Sequence, residues 1–296
     1  EIIGNVPPNL APCSVEKVAI NAVMAGCKPE YLPVVLAAVE AALEPDFCMH
    51  GLLCTTHFAA PMVIVNGPIT KAIGMNSGGN ALGQGNRANS TIGRALQLVI
   101  RNVGGGVPGG IDRATLGNPG KLTYCFAEDE SDPIWKPFAE ERGVAQGKSA
   151  VTLYAAEGMQ GFMGDQSRTP ESLTRSLAMS LRVVGHPKRI TTHDALIVMS
   201  PEHLRTYKEA GWSKARVLQE FDEVLKFPGA EFIEGANGVA EGIPVDQADQ
   251  IVSKFKPGGL NIVRAGGVAG MMSAIIGSWA ATGERGSKLI TKEIGT

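Results

Sequence analysis

Four side chains able to bind a metal crowd one short segment: Cys48, His50, Cys54 and His57, spaced C-x-H-x3-C-x2-H. Thiolate and imidazole ligands suit zinc, iron or copper. On a strand the first three share a face and His57 points away, whereas on a helix His50, Cys54 and His57 share one. Neither geometry unites all four without a bend. The reading adopted is a buried strand over 48–56 with His57 at its end as a general base; a metal held by Cys48, His50, Cys54 and His57 is the alternative. Cys27 lies in Gly26-Cys27-Lys28-Pro29, just before a helix start and beside a lysine. Both features lower a thiol pKa, so Cys27 is the expected nucleophile or exchange thiol. Its bland alternative is a small buried apolar side chain.

Carboxylates close two apolar runs. Glu128 follows KLTYCF in Ala127-Glu128-Asp129-Glu130, and Glu157 follows AVTLYAA, with Asp165 further along the same loop. Strand ends of α/β sheets carry such groups, so Glu128 is taken as the proton-moving carboxylate near a site, with Glu157 a similar candidate. His193 and His203 read as capping and packing residues at element ends.

The charge pattern points to a ligand. Between Asp46 and Asp112 there is no acidic residue, while Lys71, Arg87, Arg94 and Arg101 give the stretch a charge of +4 in a chain whose net charge is −2. Its centre, GMNSGGNALGQGNRANS (74–90), is a glycine- and asparagine-rich loop feeding a helix N-terminus, where free N–H groups suit an anion. Asn76, Ser77, Asn86, Asn89 and Ser90 are the expected substrate-binding residues, with Arg87 a clamp on a carboxylate or phosphate. The strand–Gly266-Gly267 junction is a second expected cradle. Gly83–Ala88 matches G-x-G-x-x-A without a preceding strand, so a Rossmann reading fails. Gly120-Lys121 lacks the other parts of a P-loop.

Three stretches, EKVAINAVMAGCKPEYLPVVLAA (16–38), HFAAPMVIVNGPITKAIGMNSGGNALGQGNRANSTIGRAL (57–96) and CFAEDE (125–130), carry a resemblance. The chain resembles an uncharacterised bacterial family that accompanies, or is fused to, small thiol or selenol proteins with a U/C-G-S-C motif. That motif is absent here, and no cysteine pair has CxxC spacing. The resemblance therefore implies that redox thiol chemistry comes from a Cys- or Sec-containing partner protein or a further domain. His57, Cys27, Asn76, Arg87, Asn89 and Glu128 fall inside the resembling stretches.

These groups need a scaffold. The caps and apolar runs predict helices at 14–25, 29–43, from Asn89 or Ser90 to 104, at 170–183, from Ser200 and at 213–227. Strands are expected at 48–56, 62–66, 121–126, 150–155, 195–199 and 260–265. A small-residue helix is expected over 268–281 (VAGMMSAIIGSWAA). Strands alternating with helices give an α/β fold, a mixed sheet with flanking helices. It is read as one domain over 1–296, with two similar-sized packed halves, 1–148 and 149–296, as the guess within it. No internal repeat is visible.

With 296 residues, 44% of them hydrophobic, the chain buries a real core, and disordered and fibrous classes are excluded. No apolar run is long enough for a membrane span, and the net charge of −2 argues against nucleic acid. Five cysteines, an odd number, and no secretory signal point to the cytoplasm. The start at Glu1 suggests a trimmed terminus. The expected function is an enzyme, or a large enzyme subunit, acting on a small carboxylate-type anion by thiol or acid–base chemistry. Oxidoreductase and lyase or hydratase are the expected classes, and oligomers are allowed for. The rivals are a non-catalytic scaffold for the thiol or selenol partner, and a metal-dependent hydratase or lyase.

Overall fold

The computed structural model describes residues 1–295. A hairpin of β1 (Ile2–Val6) and β2 (Ala11–Ser14) leads into helices α1 (Val15–Ala25), α2 (Leu32–Leu43) and α3 (Met49–Cys54). Strand β3 (Ala60–Asn66) follows, then α4 (Ile69–Ala72), α5 (Arg87–Asn102), β4 (Cys125–Ala127) and α6 (Phe138–Glu141). Next come β5 (Ala150–Met163), α7 (Pro170–Leu181), β6 (Ala195–Met199), α8 (Pro201–Glu209) and α9 (Lys214–Val224). The chain ends with β7 (Lys226–Pro228), β8 (Ile251–Ser253), β9 (Leu260–Arg264), β10 (Met272–Ser278) and β11 (Ile290–Glu293).

Local chemistry sets the helix starts. Ser14 Oγ accepts the Lys17 N–H at 3.2 Å, and Gly26, at φ 91°, closes α1 in the left-handed region. Asn86, Thr169 and Ser213 cap α5, α7 and α9 in the same way. The α5 cap is Asn86, not Asn89 or Ser90, because the Asn86 side chain takes the Asn89 N–H at 3.0 Å.

Strand pairing makes a mixed sheet in the order β4-β3-β5-β10-β6-β9, with β11 also on β5. Pairs β3–β4 and β6–β9 are parallel, and the other pairs of this sheet are antiparallel. The sheet curls as a half-barrel. At its carboxyl end the Asp129 N–H, just past β4, donates to the Arg264 carbonyl of β9 at 2.8 Å, tying the two ends of the strand order together.

The topology repeats, although the sequence displays no long repeat. In the first unit β3 is followed by α5, by β4 parallel to it, and by β5 antiparallel on its other edge. In the second, β6 is followed by α8 and α9, by β9 parallel to it, and by β10 antiparallel on its other edge. Strands β5 and β10 pair antiparallel at the centre, so the units are related by an approximate two-fold through that pair. One sheet thus draws on both halves of the chain, and the units join between Met163 and Pro170, beyond the expected 148/149 division.

Period-two alternation divides the core. Met62, Ile64, Phe126, Tyr154, Leu196, Val198, Val263, Ala274 and Ile276 fill the concave side of the curl. Their neighbours face outward. Val63, Val65, Val151 and Leu153 pack with α1, α2 and α5, whereas Ala195, Ile197, Ile262 and Ile275 pack with α7 to α9. Among the described residues, no helix is long and apolar enough to cross a membrane.

Three expectations are corrected. Residues 49–54 form a helix, because Met49, Leu52 and Leu53 are its buried side at helical spacing. The expected strand at 121–126 is reduced to Cys125–Ala127, with a 3₁₀ turn at Pro119–Lys121. The expected 268–281 helix is instead a turn followed by β10, inserted between β5 and β6. A short apolar run buried on both faces has no period that separates helix from strand.

Candidate functional site

Two cavities open at the carboxyl ends of the parallel strand pairs, where α/β sheets bind ligands. One, of about 420 Å³, is lined by Asn66, Gly67, Ser77, Glu128, Asp129 and Glu130, with Lys71 and Lys148 beside them. The other, of about 390 Å³, is lined by Asn80–Gly83, Ser200, Gly266, Gly267 and Ser273 among others, with no charged residue among the described residues that line it. The acid-free loop is the wall between them: Met75 and Ser77 face the first, Asn80–Gly83 the second. Gly266 N–H holds the loop by donating to Ser77 O at 2.9 Å, so the two expected anion cradles meet.

Equivalent positions of the two units present unpartnered oxygens here. Asn66 ends β3 and Ser200 follows β6. Asn66 Oδ1 and Ser200 Oγ are buried with no hydrogen-bond partner among the described residues, and each residue lines its own cavity. Ser200 is 5% exposed and is the N-cap residue of α8, yet its side chain does not cap. First-turn N–H groups of an uncapped helix have no intrahelical partner and favour an anion.

The expected binding residues have mostly structural duties. Asn76 Oδ1 accepts Gly78 N–H at 2.9 Å, and Asn76 Nδ2 donates to Gly79 O at 2.9 Å. Asn86 Nδ2 donates to Gly74 O at 2.8 Å, and Asn89 Nδ2 to Asn76 O at 2.8 Å and Ala81 O at 3.2 Å. Arg87 Nε donates to Gly26 O at 2.9 Å, tying α5 to the end of α1 rather than reaching a cavity. Ser90 O accepts Thr123 Oγ1 at 2.7 Å. The loop is therefore prefolded by its own amides, and of the expected binding residues Ser77 lines one of the two cavities.

Glu128 is buried at the carboxyl end of the sheet. Its Oε2 accepts the Phe138 N–H and Asn66 Nδ2, each at 2.6 Å, while Arg264 Nε stands 3.7 Å from Oε1. Burial pushes its pKa up, and the Phe138 and Asn66 hydrogen bonds and the Arg264 and Lys214 charges oppose the rise.

Cys27 departs from its expected chemistry. Burial raises its thiol pKa, against smaller lowering effects from Thr91 and Arg87. It packs against the apolar cluster of α1, α2 and α5 and lines neither of these two cavities. Native alkylation with iodoacetamide at neutral pH is expected to modify the exposed Cys54 before Cys27, as read by mass spectrometry; labelling of Cys27 first would restore it as a reactive thiol.

His57 lies at the other end of the sheet. Seven residues of β3, roughly 23 Å of strand, separate its loop from the region of Glu128. Cys27, His57 and Glu128 therefore do not converge on one site. His57 Nε2 is 2.7 Å from Glu157 Oε1, its Nδ1 accepts the Ala59 N–H at 3.3 Å, and Phe58 stacks on its ring. His193, read from sequence as packing, has its ring centre 5.8 Å from that of His57. Burial pushes the His193 pKa down. Cys48 starts α3, and exposed His50 and Cys54 lie on it; among the described residues none of them joins a cluster of three metal-capable groups.

The sequence carries a local signal for this second cluster. The tripeptide Thr-Thr-His occurs twice, at 55–57 and 191–193, each time just before the first strand of a unit. Glu157 is placed by a β-bulge: Ile276 pairs with Met159 and Ser278 with Ala156, so Glu157 and Gly158 oppose Gly277 alone.

No protein-family profile matches the chain, and no curated protein matches it either. The class that fold and cavities define is a two-unit mixed α/β half-barrel with paired clefts at its carboxyl end.

Proposed function

We propose that the protein is an enzyme, or the large subunit of one, that takes a small carboxylate-type anion in the uncharged cavity beside β6 and β9. The observation that carries this reading is the junction of the acid-free loop, Gly266-Gly267 and the uncapped start of α8 around the buried, unpartnered Ser200 Oγ. Acid–base chemistry of the lyase or hydratase kind fits best. A substrate that reaches past the loop into the neighbouring cavity meets Glu128, Asp129 and Glu130 there, and burial favours the protonated form of Glu128. A second reading, a subunit that positions a thiol or selenol partner, draws on one observation. Among the described residues no cysteine lines either of these two cavities, which fits thiol chemistry brought by a partner protein or a further domain.

Thermal unfolding with small mono- and dicarboxylates and with inorganic phosphate tests the first reading. An anion at about a hundred times its dissociation constant adds about 2.7 kcal/mol, which raises Tm by about 5 °C in a chain of this size. Gly161 lines the uncharged cavity, and a Cβ added there meets nothing within 4 Å. Gly161→Leu is expected to abolish the ligand-induced rise while leaving the unliganded Tm nearly unchanged. No response to any anion by the chain alone, with binding restored by a Cys-rich partner, would favour the scaffold.

A further inference from the structure

Two histidines and a glutamate from distant parts of the chain meet at the amino ends of β3 and β6. The ligand-capable atoms of His57, Glu157 and His193 all lie within 4.8 Å of one another. We propose that this cluster is a metal site, holding a divalent first-row transition ion, zinc or iron(II) in type, through His57, His193 and Glu157 with further positions open. It stands at the amino ends of β3 and β6, whereas the two cavities open at the carboxyl ends of these strands, and it does not depend on how they are read.

Donor chemistry sets the class of ion. Two imidazoles and one carboxylate bind zinc in catalytic centres and iron(II) in facial triads, whereas calcium and magnesium prefer oxygen alone. Three ligands leave room for water or a substrate oxygen. The His57 and Glu157 side chains are 20% and 19% exposed, which gives an ion a way in.

The surroundings are shaped to leave space for these side chains. A Cβ at Gly277 would overlap Glu157 Oε2, and one at Gly185 would overlap the His193 ring. The bulge at Glu157 and Gly158 breaks the regular register with β10 next to the cluster. Thr192 Oγ1 lies 2.9 Å from His193 Nδ1, an outer partner that leaves Nε2 for the ion. Without metal, His57 carries its proton on Nε2, toward Glu157, and accepts the Ala59 N–H on Nδ1. An ion takes the Nε2 lone pair, and the neutral ring then carries its proton on Nδ1, giving up the long bond from Ala59. The repeated Thr-Thr-His brings one histidine from each unit.

The test uses the whole chain, stripped by chelator and dialysis, then loaded separately with Zn(II), Co(II) and, without oxygen, Fe(II). Elemental analysis is expected to find one ion per chain after desalting, and cobalt to show visible bands of nitrogen and oxygen coordination. Glu157→Gln, nearly isosteric, and His193→Ala should each weaken binding by at least about 100-fold, beyond the 10–100-fold that losing an outer partner costs. Gly277→Ala should weaken it by about 10–100-fold by displacing the carboxylate. The double variant His50→Ala/Cys54→Ser should keep the ion, and far-UV circular dichroism checks that each variant folds. The proposal is overturned if no metal is retained stoichiometrically. It is overturned equally if folded Glu157→Gln binds as tightly as the parent, or if the His50/Cys54 variant is the one that loses the ion.

Discussion

Arg264→Met is expected to cost about 3–5 kcal/mol of stability, the range for breaking a buried ion pair by removing one partner. Arg264 is 3% exposed, as is Glu128, and the pair joins β9 to the residue just past β4 where the curled sheet is tied together. Arg264 Nη1 also donates to Asp132 O, so the guanidinium holds the loop after Glu128 as well. Without it, the Glu128 carboxylate keeps the Phe138 N–H and the Asn66 amide but no longer faces the Arg264 charge. The loss has a pH signature. The Glu128 pKa is already raised by burial, and removing a cation raises it further. A carboxyl whose folded pKa exceeds its unfolded value binds more protons when folded, so stability falls as pH rises through that window. The Arg264→Met defect is thus expected to be larger at pH 8 than at pH 5. Glu128→Gln/Arg264→Met removes the stranded charge and should recover more than half of the loss. Urea unfolding at the two pH values measures both effects, and a pH-independent defect that the second substitution leaves unrepaired would assign the loss to packing alone.

What could be read from sequence follows the range of the interactions involved. Caps and first-turn residues act over three or four residues, so Ser14 and Ser213 announced their helices as caps, and Pro170 announced a third as a first-turn proline. The strands Ala60–Asn66, Ala195–Met199 and Leu260–Arg264 stood out as apolar runs between turn signals. β10 did not, because Ser273, Ala274, Gly277 and Ser278 are small and its run is buried on both faces, a pattern that suits a packed helix as well as a central strand. The acid-free stretch marked the loop that walls both cavities, yet its asparagines, chosen as ligands, are spent on folding the loop. Residue type says that an amide will hydrogen-bond, and only the fold says to what. His57, Glu157 and His193 are separated by 100 and 36 residues, so their meeting is a property of the sheet, with the doubled Thr-Thr-His its one local trace.

Gly93→Ala sets local propensity against packing. Gly93 is buried inside α5, and in an exposed helix interior alanine would be favoured over glycine by about 1 kcal/mol. Here an added Cβ would stand 2.6 Å from Thr123 Oγ1, 2.7 Å from the Tyr124 backbone nitrogen and 3.1 Å from Cys125 Cβ. Two of those three contacts are closer than the helix can accept without moving, and one of them is with backbone, which cannot rotate away. Thr123 Oγ1 is further fixed by its bond to Ser90 O at 2.7 Å. The helix must therefore shift off β4, and overpacking of this kind costs about 1–3 kcal/mol, enough to reverse the sign that propensity predicts. A shift of α5 also carries Asn86 and Asn89, which anchor the 74–81 loop between the two cavities. Gly93→Ala should accordingly lower the urea midpoint and weaken any anion response, with Gly93→Val worse on both counts. A variant more stable than the parent would mean that α5 has room over β4, and that the loop is positioned by its own amides alone.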